Sequence, residues 1–279
     1  MSIKKIISFF LLIIGINLFA TGENFPVGGR SAGMANASVT LNDFWSIYNN
    51  QSGLCGIKKI SAGIYYENRF GLKNFGLKAG AVVMPIKAGV LGLSMNYFGY
   101  SMYNESKIGF AYAKKFSENF SMGIQLDYLS THIAENYGNR STVAGEIGLR
   151  YQLNKNLCIA GHIYNPARAK IAEYNDERIL TVVKVGLSYL CSEKVLLNTE
   201  TEKDIQYKAV FKAGVEYHPV KEIYFRTGIA TNPFLNAFGF GIEIKNFKLD
   251  FATSYHQTLG FSPQFSMIFN VSKTTASSN

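Results

Sequence analysis

The feature that most constrains this chain is an alternation of apolar and polar residues that continues from about residue 57 almost to residue 271. In one such run, every second residue from Phe120 to Tyr128 is apolar, and Ser, Gly, Gln and Asp lie between them. Successive side chains of a β-strand point to opposite faces, so this period of two predicts strands with one apolar and one polar face. The fold class is therefore all-β.

Fourteen runs of this kind can be distinguished. They are longer than the 5 or 6 residues usual in soluble sheets, and most reach the roughly 9 to 11 residues that a membrane-crossing strand needs. The alternation is weak in the first, seventh and ninth runs, so twelve strands is the alternative. The runs lie near 57–67, 75–84, 87–98, 103–115, 119–133, 138–151, 156–164, 178–190, 194–203, 206–217, 222–230, 236–244, 247–256 and 263–271.

The links between the predicted strands alternate in character. Links after even-numbered strands are tight, as at Ser117-Glu118 and Lys245-Asn246. Most links after odd-numbered strands are longer or richer in charged residues, Asn and Gly, as in 68–74 and 165–177. Outer-membrane barrels have short periplasmic turns and longer extracellular loops, and an even strand count leaves both termini in the periplasm.

Lipid cannot hydrogen-bond to the peptide backbone, so a sheet can cross a bilayer only when it closes on itself. The pattern thus predicts a transmembrane antiparallel β-barrel of about fourteen strands with its apolar face outward. A soluble β-sandwich or lipocalin-like barrel is the alternative, with the apolar face inside. Salt bridges or anion selectivity would explain the charged residues expected inside. These are Lys78, Lys107, Arg150, Lys184, Lys208, Lys212, Arg226, Lys248, Asp127, Glu146, Glu216, Glu243 and Asp250.

The N-terminus has the pattern of an export signal. Lys4 and Lys5 precede an apolar run over 6–19, and small residues follow, with cleavage expected after Ala20 or Gly22. We therefore predict a signal peptide over 1–20 and localisation in the outer membrane, with an uncleaved membrane anchor as the alternative. The barrel is expected over 57–271, and a polar tail over 272–279.

Composition and motifs argue against several other functions. The formal net charge is +9, but the basic residues are spread along the chain, which disfavours nucleic-acid binding. The sequence has no phosphate-binding loop, dinucleotide fingerprint or metal-ligand spacing, so no cofactor or metal is expected. The four histidines fall on different predicted strands without a matching nucleophile motif. We predict that the protein is not an enzyme, and an outer-membrane hydrolase is the lesser alternative.

Residues 28–54 carry a motif that resembles a known family. The pattern is G-x-R-x-x-G-M-x-x-A-x-V followed by an Asn-Pro-Ala-Gly-Leu element, in which Gln51 and Ser52 replace Pro and Ala here. The matching residues are Gly28, Arg30, Gly33, Met34, Ala37, Val39, Asn50, Gly53 and Leu54. The chain thereby resembles the outer-membrane fatty-acid transporter (FadL-like) superfamily and its PorV/PorQ-like branch in Bacteroidetes-type bacteria. The ending over 256–265 is similar to the last hairpin of that branch.

This resemblance implies a fourteen-strand barrel in which residues 21–56 form a plug. It also implies that the protein, embedded in outer-membrane lipid, passes or binds a hydrophobic or amphipathic small molecule. Tyr65 and Tyr224 are candidate aromatic residues of the lumen. The alternative is a PorV-type barrel of type IX secretion, whose partner would be a secreted protein.

Overall fold

A computed structural model describes residues 24–134, 138–171 and 178–271. Fourteen antiparallel strands form a closed barrel in which sequence neighbours pair and β1 also pairs with β14. The predicted fourteen-strand barrel is thereby confirmed, and the twelve-strand alternative is wrong. The strands are β1 (Ser61–Asn68), β2 (Gly76–Ile86), β3 (Gly89–Tyr100), β4 (Tyr103–Lys115), β5 (Phe120–Ile133), β6 (Gly138–Gln152), β7 (Leu157–Tyr164), β8 (Val182–Ser192), β9 (Val195–Asp204), β10 (Val210–Val220), β11 (Ile223–Ala230), β12 (Leu235–Ile244), β13 (Phe247–His256) and β14 (Gly260–Asn270).

The two faces of the barrel wall follow the alternation of the sequence. In β5, Leu126 is 60% exposed on the outer surface, whereas its neighbour Asp127 is fully buried inside. In β10, Phe211 is likewise exposed and Lys212 buried. An apolar exterior around a polar interior is the reverse of a soluble barrel and matches a barrel surrounded by lipid.

The two ends of the barrel differ in the length of their links. The end with the tight turns, here called the short-turn end, has the links 87–88, 116–119, 153–156, 193–194, 221–222 and 245–246. The opposite end, here called the long-loop end, has the links 69–75, 134–137, 165–181, 205–209, 231–234 and 257–259. The link 101–102 is a short exception at that end. The predicted asymmetry therefore holds for most of the connections.

Residues 24–57, here called the inner segment, lie inside the barrel. They contain two single-turn helices, α1 (Gly29–Ala32) and α2 (Ser46–Asn49), and a 3₁₀ helix over Gln51–Gly56. Two further 3₁₀ turns, Arg69–Gly71 and Lys73–Phe75, belong to the β1–β2 link. In the part of the chain that the structure describes, no helix has the length and apolar character needed to cross a bilayer.

The main apolar core lies between the inner segment and strands β1 to β4. Trp45, Ile47 and Tyr48 of the inner segment pack in one cluster with Leu77 of β2 and Ala111 of β4. The inner segment supplies its aromatic residues to this cluster, and the wall contributes alanines together with larger residues such as Tyr65 and Leu77. The core therefore depends on the inner segment being in place.

Two residues of the predicted charged interior lie elsewhere. Lys78 is on the outer face, because the inward positions of β2 are Leu77 and Ala79, both buried. Its place near the end of β2 lets the long side chain keep its ammonium group in the aqueous interface. Lys208 lies in the β9–β10 link, because β10 begins at Val210 rather than at residue 206.

Candidate functional site

Arg30 fastens the inner segment to the wall through a buried charged cluster. Its Nε and Nη2 donate to Glu216 Oε2 and Oε1 at 2.8 and 2.6 Å, and its Nη1 donates to Asp43 Oδ2 at 3.1 Å. Arg226 donates to the same Glu216 at 2.6 Å and to Asp250 at 2.7 Å. Burial alone would lower the pKa of Arg30, but the carboxylates of Glu216 and Asp43 raise it above its ordinary value. Two cations and three carboxylates thus form one network.

A second cluster holds the middle of the inner segment. Glu200 Oε2 accepts hydrogen bonds from the backbone N–H groups of Ser38 and Val39, both at 2.8 Å. The ammonium group of Lys212 lies 2.9 Å from the other oxygen of Glu200 and 2.7 Å from Glu202. A charged side chain that accepts two backbone N–H groups fixes the path of the segment as well as its distance from the wall.

A third cluster holds the C-terminal part of the inner segment. Gln51 Nε2 donates to Glu146 Oε2 at 2.7 Å, and His162 Nε2 lies 2.8 Å from the same oxygen. Lys107 donates to Glu146 Oε1 at 3.0 Å and lies 3.8 Å from Asp127. Gln51 is one of the two departures from the family motif, and its amide reaches the carboxylate of the wall directly.

The glycines of the motif lie where no side chain fits. Gly28 has φ +119°, and a Cβ on it would come within 2.6 Å of the Trp45 ring. A Cβ on Gly33 would lie 2.9 Å from Gly239 Cα of β12, and one on Gly53 only 2.3 Å from the Leu41 carbonyl oxygen. These residues permit close packing of the inner segment on itself and on the wall.

The other motif residues are also buried. Met34 and Leu54 have no exposed surface. The Asn50 side chain donates to the Val39 carbonyl at 2.7 Å and accepts from the Ser52 N–H at 3.2 Å. The structure therefore places all nine matching motif residues in one segment that packs inside the barrel.

A cavity of about 960 Å³, here called the vestibule, lies at the long-loop end. The beginning of the inner segment, 24–26, and residues 35–36 contribute to its lining together with long-loop residues such as Phe75 and Tyr207. Phe25 and Phe98 pack with their ring centroids 4.8 Å apart, and Phe75 stacks on Phe98 at 6.2 Å. The remaining apolar lining comes from Leu180, Val182, Val210, Ala230 and Leu235, and the charged lining from Glu105, Glu202, Asp204, Lys208 and Lys212.

A smaller cavity of about 240 Å³ lies at the short-turn end, beside Lys115 and Arg150. Asn42 and Cys55 of the inner segment contribute to its lining. The inner segment thus extends from the vestibule at one end of the barrel to this second cavity at the other.

The two candidate lumen tyrosines lie apart, and neither lines the vestibule. Tyr65 is buried against Trp45 at 6.1 Å between ring centroids, and its hydroxyl donates to Glu67 at 3.1 Å. Tyr224 lies near the short-turn end, with the ammonium group of Lys248 4.6 Å from the ring centroid. The aromatic residues that line the vestibule were not predicted from the sequence. The position of Phe25 just before the motif is the one sequence feature that indicates such a residue.

Among the described residues, neither a histidine hydrogen-bonded to a serine or cysteine nor a cluster of metal ligands is found. No hydrogen bond joins a histidine ring to a serine or cysteine among the residues described, and His162 and His132 instead contact Glu146 and Asn139. No group of three His, Cys, Asp or Glu side chains there could hold a metal ion.

Comparison with solved structures shows which proteins share this fold. The CymD monoaromatic hydrocarbon channel superposes with a TM-score of 0.69 at 14% identity, covering 88% of this chain and 97% of that one. The Pseudomonas putida toluene transporter TodX gives 0.66 at 9% identity, with 86% and 96% covered. A Pseudomonas aeruginosa FadL homologue gives 0.61 at 12% identity, with 88% and 97% covered. No protein-family model and no curated protein sequence matches the chain.

Proposed function

We propose that this chain is an outer-membrane barrel of the FadL-like type that takes up a hydrophobic or amphipathic small molecule. The observation that carries the proposal is the largely apolar vestibule of about 960 Å³ directly above an inner segment that is fastened to the wall. An apolar ligand gains free energy when it leaves water for such a surface. Residues 21–56 would act as the plug that prevents free diffusion through the barrel.

The shared fold supports this choice of ligand class. The similar structures include barrels described as a monoaromatic hydrocarbon channel and a toluene transporter. We extend the proposal to a signal peptide over 1–20, which is cleaved on export, and to a polar tail over 272–279. Both lie outside the described residues.

Passage beyond the vestibule would require the plug to yield at one of its contacts. Arg30 is attached to Glu216 of β10, Ser38 and Val39 to Glu200 of β9, and Gln51 to Glu146 of β6. A rearrangement at one cluster could open a path while the other two hold the plug. We propose Tyr65 and Tyr224 as contacts of the molecule along that path.

Binding of radiolabelled toluene and dodecanoate to the full chain in lipid nanodiscs tests the proposal. The variant Val210→Trp with Leu235→Trp fills the vestibule and should weaken saturable binding at least tenfold. The control Val220→Trp adds the same side chain to the lipid-facing surface, where Val220 is 50% exposed, and should bind like the unmodified protein. Absence of saturable binding to the unmodified chain, or equal binding by both variants, would contradict the proposal.

A PorV-type role in type IX secretion, with a secreted protein as partner, is the second candidate. The observation that favours it is a set of exposed apolar side chains in the long-loop links, among them Leu72, Phe75 and Leu259. Copurification of a secretion partner from the native membrane would support this function if Leu72→Ser with Leu259→Ser abolished it. The vestibule-filling variant should not affect such a complex.

A further inference from the structure

The outer wall of the barrel carries a groove of about 480 Å³ across β8 to β11. Its sides are formed by Val185 and Leu187 of β8, Phe211 of β10 and Ile229 of β11, all at least 46% exposed. Its floor consists of the smaller outward residues Thr199, Thr201 and Ala213. The large side chains stand above small ones, so the surface that faces lipid is indented here.

The groove is closed toward the interior of the barrel. Behind it, a Cβ on Gly186 would come within 2.6 Å of the Val39 side chain of the inner segment. Glu200, which alternates with Thr199 and Thr201, holds that part of the inner segment by its two backbone hydrogen bonds. The groove is thus a surface feature that lipid can fill, with the inner segment packed behind its β8–β9 side.

A lysine lies at the upper end of this groove. Lys203 follows Thr201 on the same face of β9, about 7 Å further along the strand toward the long-loop end. Its ammonium group donates to the Tyr207 carbonyl, and an ammonium group has three donors in all. Ile205, two residues further along the chain, is also exposed.

We propose that this groove is a binding site for one anionic phospholipid of the surrounding membrane. An acyl chain would lie along Thr199, Thr201 and Ala213, and the phosphate would lie against Lys203. A basic residue close to an anionic membrane surface contributes about 1 kcal/mol of attraction, which favours an acidic over a zwitterionic headgroup at this position. The site rests on the proposed membrane location of the barrel and is independent of any molecule taken up by the vestibule.

Native mass spectrometry of the full chain tests this site. The protein is extracted in a mild detergent with equal amounts of phosphatidylglycerol and phosphatidylcholine that carry the same acyl chains. We expect one retained lipid, with phosphatidylglycerol preferred. Lys203→Gln should reduce this preference about fivefold, corresponding to the loss of one charge at the membrane surface. Thr201→Phe fills the groove and should reduce retention of both lipids.

Two matched controls separate the groove from general surface effects. Lys78→Gln removes an outward lysine from β2, and Thr253→Phe adds the same aromatic ring to the outer face of β13; neither residue lines the groove. Both controls should retain lipid like the unmodified chain. Equal retention of the two lipids by the unmodified chain, or equal losses in Lys203→Gln and Lys78→Gln, would overturn the proposal.

Unchanged lipid retention by Thr201→Phe would overturn the proposed lipid site as well. Heat-modifiable migration on a gel confirms that each variant forms a closed barrel before its lipids are measured. A barrel that binds toluene without selective lipid retention would refute the lipid site alone. A barrel that retains the lipid without binding toluene or dodecanoate would refute the proposed uptake and leave the lipid site standing.

Discussion

The inner segment meets two different walls of the same barrel. Toward β1 to β4 it contacts an apolar surface, where Trp45, Ile47 and Tyr48 pack against residues such as Leu77 and Ala111. Toward β6, β9 and β10 it meets buried carboxylates, and the contacts there are ion pairs and hydrogen bonds. The inner segment is therefore held by apolar packing on one side and by ion pairs and hydrogen bonds on the other.

The two walls constrain different properties of the inner segment. Apolar contact is non-directional and scales with buried area, so it stabilises the segment with little preference for its exact orientation. Charged contacts depend on distance and geometry, and each buried charge without a partner is costly. Small changes of side-chain volume at the apolar wall should therefore cost little stability. Removal of one partner from an ion pair at the charged wall should cost much more.

The largest effect is expected from Glu216→Ala. This change leaves Arg30 and Arg226 in the interior without the carboxylate that both of them contact. Removing one partner of a buried ion pair typically costs about 3–5 kcal/mol. Urea unfolding of the protein in lipid or detergent micelles measures this loss in the free energy of unfolding. Glu222→Ala, at an exposed turn position, is the control and should change stability by less than about 0.5 kcal/mol. Equal losses in both variants would show that the charged wall does not pin the segment.

A smaller effect is expected from Gly33→Ala, which tests the close contact between the inner segment and β12. The new Cβ would lie 2.9 Å from Gly239 Cα, and backbone atoms cannot rotate away as a side chain can. Overpacking of this kind typically costs about 1–3 kcal/mol. In the control Gly80→Ala, the Cβ would meet only the Gly63 carbonyl oxygen, at 3.6 Å. If the two variants unfold at the same urea concentration, the inner segment does not rest on β12 as described.

Much of the wall could be predicted because the signal is local. In β5, the alternation between Phe120 and Tyr128 identifies the two faces, and the closed antiparallel topology follows from the number and spacing of such runs. The orientation of Lys78 could not be predicted, because at a strand end the pattern fades and a one-residue shift of register exchanges the faces.

The contacts of the inner segment could not be predicted from spacing. Arg30 and Glu216 are 186 residues apart in sequence, and no periodic pattern links them. The motif indicated that residues 28–54 form a distinct segment. Of the wall carboxylates that contact this segment, Glu146 of β6 and Glu216 of β10 were expected inside the barrel. Glu200 was not among them, because the alternation of β9 is weak. The vestibule depends on how several loops meet, which no single run of residues encodes.

The smallest effect is expected on the apolar wall, from Ile47→Val. Ile47 is fully buried against β3, where its Cδ1 occupies the space beside Gly92. Loss of one methylene group from such a site typically costs about 0.5–1.5 kcal/mol, because the neighbours relax only partly into the cavity. Ile124→Val, at a position 48% exposed on the outer face, removes the same group where lipid can fill the space and should cost less. A loss for Ile47→Val as large as that for Glu216→Ala would mean that packing, rather than charge, determines how the inner segment is seated, and the contrast between the two walls would then be wrong.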